Sequence, residues 1–201
     1  MKLHFPATQR NREPILEVLR KLLPSSSCTL LELASGSGEH ATYFAQQLPT
    51  LTIQPTELEQ AHLDSVDAWV AELDLAARIK PAVRLDASDA RWPVFDDAID
   101  AVLCCNMIHI APWVACLGVF RGAADVLAVG APLIFYGPFR RRDVPTAASN
   151  DAFDLSLQQR DASWGIRHLD DVTAVAVDAG FVLHEVIEMP ANNLTVVFRR
   201  I

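Results

Sequence analysis

Lysine is scarce in this sequence, occurring only as Lys2, Lys21 and Lys80. None follows a tyrosine at the Tyr-x-x-x-Lys spacing that a hydride-transfer set would need, which argues against a nicotinamide-dependent oxidoreductase. Cysteine is sparse as well. Cys28, Cys104, Cys105 and Cys116 follow no metal-ligand spacing, and no metal is expected. Cys104 and Cys105 are adjacent inside an apolar run, where neighbouring strand residues point to opposite faces. Buried thiols in a reducing, cytoplasmic compartment are the expected state. Long apolar runs are missing. The stretch from Val126 to Tyr136 is broken by Gly130 and Pro132, far short of the ~20 residues of a membrane span. No charged leader with an apolar core opens the chain, so a soluble protein is expected. Positive charge is outweighed: 17 Lys and Arg stand against 25 Asp and Glu, a net charge of −8. Such a surface repels phosphate backbones, which argues against general DNA or RNA binding. The one basic run, Arg140-Arg141-Arg142, is too short to reverse that, and reads as a solvated loop or an anion site.

What is present suits one globular domain over 1–201, with 51% hydrophobic and 21% charged residues. A chain of this length buries about 70% of its unfolded surface and needs no disulfide or metal staple. Neither linker nor repeat divides it. Helices are expected from Pro14 (Ile15, Val18, Leu19, Leu22, Leu23), after Gly38 (Ala41, Phe44, Ala45, Leu48) and over about 59–79. Further helices are expected with a stripe of Leu117, Phe120, Ala124, Leu127 and Ala128, over about 150–160, and over 170–179 before Gly180. Strands are expected at 29–34, 51–54, 81–85, 98–105, 131–136, 181–188 and 194–200. This alternation predicts an α/β fold with a mostly parallel seven-stranded sheet covered by helices on both faces. Five residues, Met189 to Asn193, separate the last two strands. That is too few for a parallel crossover, so those strands must form an antiparallel hairpin.

The first strand runs into Ala34-Ser35-Gly36-Ser37-Gly38, a turn whose glycines let backbone approach a ligand. The helix that follows offers unpaired N–H groups and a positive dipole end. Gly36, Gly38 and Ala41 also satisfy the weak G-x-G-x-x-G/A dinucleotide pattern. Glu32 lies within the otherwise apolar strand, where a carboxylate is costly unless something donates to it. A ligand ammonium or loop N–H groups would serve, unless the position faces solvent. Glu57 follows Gly36 by 21 residues, the place of an acid that accepts ribose hydroxyls, or simply of a helix-start acid. Asp86, with Ala87 beside it, ends the third strand and is either an adenine-amino acceptor or an ordinary turn residue. All these positions fall at carboxyl ends of successive strands, the edge where open α/β sheets bind ligands. A ribose, an adenine and an amino-acid zwitterion together describe S-adenosylmethionine.

The chain resembles a family of small, uncharacterised class I methyltransferase-like proteins of bacteria and animals. The matching stretches are Arg10-Asn11 with Pro14-Ile15-Leu16, Ala34 to Ala41, Gln54-Pro55-Thr56-Glu57 and Asn106 to Ile110. Tyr136 to Phe139, Ser149-Asn150 with Phe153-Asp154, Trp164 to Arg167 and Met189 to Asn193 complete the set. The resemblance implies a class I (Rossmann-like) methyltransferase fold and S-adenosylmethionine as methyl donor, and supplies no acceptor. Two positions depart from the general methyltransferase pattern: Ala34 replaces the usual first glycine, and Glu57 a commoner aspartate.

Methyl transfer from a sulfonium is an in-line displacement, so the protein mainly aligns, excludes water and removes a proton. The acceptor is expected beside the end of the fourth strand, around Asn106 to Trp113. His109 is either a general base or a structural histidine under the loop. Asn106 would orient the acceptor or the donor's amino group, or cap the loop. Tyr136 would present a hydroxyl or pack in the core; Trp113 would wall the pocket or pack. Arg10 and Asn11 are expected to form a lid over the donor, with Arg10 near its carboxylate. The 137–167 segment is expected to cover a small-molecule acceptor. Asn150, Asp154, Arg160, Arg167, Asn192 and Asn193 either serve that site or tie loops together. The alternative to an enzyme is a module that holds the donor or its product without turnover.

Overall fold

The computed structural model describes residues 1–201. In chain order it contains α1 (Pro6–Leu22), β1 (Cys28–Leu33), α2 (Glu39–Gln47), β2 (Leu51–Glu57), α3 (Gln60–Glu72), β3 (Val83–Arg84) and β4 (Ala101–Cys105). Then follow α4 (Trp113–Val126), β5 (Pro132–Gly137), α5 (Ala148–Arg160), α6 (Leu169–Asp178), β6 (Phe181–Met189) and β7 (Asn193–Arg200). The seven strands form one mixed, mostly parallel sheet in the order β3-β2-β1-β4-β5-β7-β6. The expected C-terminal hairpin is present: β7 pairs antiparallel with β6 on one side and β5 on the other. No helix is long and apolar enough to cross a membrane. By internal contacts the chain forms two compact units, Met1–Asp86 with Trp92–Leu103, and Ala87–Arg91 with Cys104–Ile201.

In the first unit β1 and β2 run parallel, with Leu31 opposite Gln54 and Glu32 opposite Pro55. Their fully buried Leu30, Leu31 and Ile53 share this unit's core with Leu19 of α1 and Phe44 of α2. Helix α1 starts at Pro6, eight residues before the expected Pro14, which lies inside it. Its buried face includes Thr8 and Asn11 as well as Ile15, Val18 and Leu19. Two polar members at the front of the stripe hide the period from a reading of hydropathy. Helix α3 is shorter than expected, stopping at Glu72 before Asp74 in a left-handed conformation (φ 52°). Leu75 and Ile79 instead turn back to the sheet, where Ile53 N–H donates to Arg78 O and Lys80 N–H to Ile53 O. Strand β3 keeps only two of its five expected residues, paired parallel to Thr56 and Glu57.

In the second unit only part of the expected stripe of α4 holds, Phe120 and Leu127 being buried. Its buried face is Ala115, Cys116, Gly118, Val119, Phe120, Gly122 and Ala123, while Leu117 and Ala128 are exposed. Small residues carry little hydropathy, yet they let backbones meet. A Cβ at Gly118 would lie 1.8 Å from Ala87 O. Phe120 then packs against Phe198 (ring centroids 5.2 Å apart), Phe135 (5.4 Å) and Phe181 (5.8 Å), all fully buried. The β6–β7 pairing carries an irregularity between Leu183 and Glu185. The connection is a single 3₁₀ turn, Pro190–Asn192, with Ala191 and Asn192 both left-handed.

Candidate functional site

The first unit contains the glycine turn. Ala34 (φ 52°), Gly36 (φ 59°) and Gly38 (φ 87°) are all left-handed. Ala34 therefore takes a conformation that costs an L-residue about 1 kcal/mol, in a position where glycine would be unstrained. Gly38 has a packing reason, since a Cβ there would come within 2.8 Å of Val66 Cα in α3. Backbone bonds hold the turn: Ser35 N–H donates to Thr56 O at 2.9 Å and Gly38 N–H to Ser35 O at 3.1 Å.

Two carboxylates flank this turn in opposite states. Glu57 is well supplied. Its Oε1 accepts Gly36 N–H at 3.1 Å, and its Oε2 accepts Leu58 N–H at 2.7 Å. Glu59 N–H (3.4 Å) and His62 Nδ1 (3.5 Å) lie near the same Oε2. A carboxylate has about four lone-pair sites, so acceptor capacity remains for hydroxyls. Glu32 is unsupplied. It is 1% exposed, and neither oxygen has a hydrogen-bond partner. Burial pushes its carboxyl up to about 7, partly opposed by the nearby Ser35 hydroxyl, which bonds the Glu32 backbone O rather than the carboxylate, and reinforced by the Glu57 charge. Asp86, at the end of the segment after β3, is half-buried.

Arg10 and Asn11 lie on α1 rather than in a loop. Arg10 is exposed. Asn11 is buried, with Oδ1 2.8 Å from His40 Nε2 at the start of α2. His40 stacks on Phe44, and burial holds its imidazole down at about 4. Several neighbours of the turn were not anticipated as site residues: Phe5, Ser37, Glu39, His62 and Ser65. Ser65 is fully buried within α3, and its hydroxyl donates to Ser37 O at 2.8 Å.

In the second unit Asn106 follows β4 in a left-handed conformation (φ 56°), and its N–H donates to Tyr136 O. His109 is 1% exposed. Its Nε2 lies 3.4 Å from Asn106 Oδ1, and its Nδ1 has no partner. Burial, helped by the Arg167 charge, lowers this imidazole to about 3, so it is neutral across the physiological range. Gly137 is required beside it: a Cβ there would meet His109 Cε1 at 2.4 Å, and φ is 155°. Tyr136 is buried at the end of β5, and Ala87 is buried against the Gly118 face of α4. Arg167 clamps the His109 loop. Its Nε donates to Ile108 O at 2.9 Å and its Nη2 to Ala111 O at 2.6 Å, while Trp113 lies beneath its guanidinium at 5.6 Å. Gly165 N–H donates to His109 O at 3.0 Å.

The remaining polar residues tie loops to one another. Asp154 accepts Ile166 N–H and Arg140 Nη2, Asn150 donates to Asn192 O, and Asn193 Nδ2 donates to Pro190 O. Arg160 lies over Trp164. The basic run faces carboxylates throughout: Arg140 pairs with Asp151 and Asp154, Arg141 with Glu188, and Arg142 with Asp170. These pairs make the run a charge-compensated loop.

Solved structures share this fold at low sequence identity. Mitomycin 7-O-methyltransferase MmcR superposes with a TM-score of 0.81 at 16% identity, over 97% of this chain and 54% of that one. An O-methyltransferase family protein from Burkholderia thailandensis gives 0.78 at 20% identity, over 96% and 57%. The S-adenosylmethionine-dependent methyltransferase SibL, in its apo form, gives 0.76 at 18% identity, over 96% and 55%. The chain thus spans little more than half the length of these proteins. The fold is that of a class I methyltransferase. The chain belongs to a family described as "Protein of unknown function (DUF938)", whose model matches residues 2–200.

Proposed function

We propose that the protein is an S-adenosylmethionine-dependent methyltransferase acting on a small-molecule acceptor. One observation carries the reading: a fully buried carboxylate without a partner, Glu32, lies beneath a glycine turn in a methyltransferase fold. Such a group is costly in isolation and is satisfied by a cation. The residues present fit the donor. Glu32 would take its ammonium, and Glu57 its ribose hydroxyls through lone pairs not used by Gly36 and Leu58. Asp86 with Ala87 would take the adenine edge, while Ser35, Gly36 and Gly38 present turn backbone and Ala34 shapes the entry to it. The donor would bring a methyl carbon already activated by a positive sulfur, so no strong acid is required of the chain.

The proton is the chain's remaining chemical task. A neutral imidazole lowered to about 3 is a weak base. It can still take a proton from a hydroxyl oxygen that has turned positive by bonding to carbon, because that oxygen is far more acidic. His109 therefore fits proton removal during or after bond formation, not prior ionisation of the acceptor. Asn106 would orient the acceptor and Tyr136 would present its hydroxyl. The net charge of −8 favours neutral or cationic acceptors.

Calorimetry with S-adenosylmethionine, S-adenosylhomocysteine and NAD tests the donor. Binding of the two adenosyl sulfur compounds and not NAD is expected; tight NAD binding with no response to S-adenosylhomocysteine refutes the reading. Incubating metabolite extracts with donor and protein, and looking for mass gains of one methylene, tests turnover. Donor binding with no such gain would leave the non-catalytic module.

A further inference from the structure

The first five residues run across α3 to the glycine turn. Lys2 pairs with Glu72 and lies over Trp69, its Nζ 4.1 Å from the ring centroid. Leu3 N–H donates to Ser65 Oγ at 2.8 Å, and Leu3 O accepts Trp69 Nε1–H at 3.1 Å. His4 meets the Trp69 ring edge-on. Phe5 N–H donates to Glu39 Oε2 at 2.8 Å. Two of these anchors also hold the turn. Ser65, which receives Leu3, donates to Ser37 O; Glu39, which receives Phe5, accepts Ser37 Oγ–H at 2.8 Å. Strap and turn are fastened to the same two side chains, one on each side of Ser37.

The strap ends on Phe5. A Cβ at Gly36 would lie 3.1 Å from Phe5 Cε2, so the ring rests closely on the backbone of the turn. It also meets the His62 ring edge-on, with centroids 5.7 Å apart. His62 in turn lies 3.5 Å from Glu57 and has a buried Nδ1 without a hydrogen-bond partner. Phe5 nevertheless remains 37% exposed. A large ring fixed on a glycine turn, beside an acid with spare acceptor capacity, is a wall with one face left open.

We propose that Phe5, held by the Lys2–Phe5 strap, is a donor-binding residue, an aromatic wall for S-adenosylmethionine over Gly36 and Glu57. This rests on the donor assignment above. The ring lies close over Gly36, whose left-handed backbone (φ 59°) already favours glycine. The strap must retain Phe5 for the donor to be held, so loosening it should speed donor loss.

The test uses the full chain and S-adenosylhomocysteine, with calorimetry, stopped-flow dissociation, thermal unfolding and amide exchange. Phe5→Ala is expected to weaken binding about fivefold or more, with faster dissociation and little loss of melting temperature, and Phe5→Trp to restore it. Trp69→Phe keeps a ring but removes the N–H donated to Leu3. It should weaken binding by about twofold to fourfold and speed exchange of the Leu3 and Phe5 amides. In the wild type those two amides should exchange more slowly with ligand present. If Phe5→Ala lowers the melting temperature but leaves affinity and dissociation unchanged, the strap is structural only and the proposal falls. It falls equally if Trp69→Phe loosens the strap without changing affinity. A folded wild type that does not bind S-adenosylhomocysteine removes the donor assignment itself, and the strap proposal with it.

Discussion

The two units treat their buried ionisable groups in opposite ways. In the first, Glu32 is kept unsatisfied beneath a glycine turn while backbone N–H groups are spent on its neighbour Glu57. In the second, His109 sits in a loop whose carbonyls are taken up by Arg167 at Ile108 and Ala111 and by Gly165 at His109 itself. The first arrangement stores a cost that a cation would relieve. The second fixes a neutral ring in place. A site that recognises a charged ligand needs the former; one that aligns atoms needs the latter.

The sharpest break of the second arrangement is Gly137→Ala. Its methyl would overlap the His109 ring at a backbone angle that favours glycine. A loss of about 3 kcal/mol or more in chemical denaturation is expected, with part of it recovered in the double variant Gly137→Ala/His109→Ala. Additive losses would show that the two residues do not press on each other.

Glu32→Gln probes the first arrangement. The folded-state carboxyl is raised from its ordinary 4.5 to about 7, so the folded chain binds the extra proton in that window. Stability from this group is highest below about 4.5, falls as pH rises to 7, and is constant above. At pH 8 the glutamine variant should therefore be the more stable, on the order of 3 kcal/mol, and the two should converge near pH 4.5. It should bind S-adenosylhomocysteine less well throughout. Equal stability at pH 8 would mean that Glu32 is already satisfied.

The histidines work with the reverse sign. His40 and His109 have folded values lowered to about 4 and about 3, so the unfolded chain binds the protons as pH falls below 6.5. Their contribution erodes from pH 6.5 downward, by about 1.4 kcal/mol per pH unit for each group. Between pH 4.5 and 6.5 Glu32 offsets one of them. Urea melts across that range should show a steeper acid loss in Glu32→Gln than in the wild type, and a shallower one in His109→Gln. Parallel curves would contradict both burial arguments.

A smaller effect than these is expected at Glu57. Glu57→Ala removes the acceptor for Gly36 and Leu58 N–H as well as any ribose contact. It should weaken S-adenosylhomocysteine by about tenfold, or 1.4 kcal/mol. An unchanged dissociation constant would leave Glu57 as a brace of the turn alone.

How much of this was legible follows from what hydropathy records. The strand–helix alternation and the short Met189–Asn193 connection announced the sheet and its terminal hairpin, because both are matters of spacing. The buried position of Glu32 in β1 was readable for the same reason: an acid in an apolar run stands out. The face of α4 was legible at Phe120 and Leu127 but not at Gly118 and Gly122, which bury backbone rather than side chain. The start of α1 was missed because Thr8 and Asn11 are polar members of a buried face. The strap could not be read from pattern at all. It is fastened by long-range contacts from Leu3 to Ser65 and from Phe5 to Glu39, which no local period encodes.

The outer margins of the sheet have a consequence for behaviour in a crowded cell. One border is β3, only two residues long; the other is β6, with its irregularity between Leu183 and Glu185 and the acids Glu185 and Glu188. The first is too short to template another strand, and the nine-residue second is interrupted by its irregularity. Ribbon-like growth of one copy upon another is thus discouraged by shortness at one margin and by the irregularity and the acids at the other.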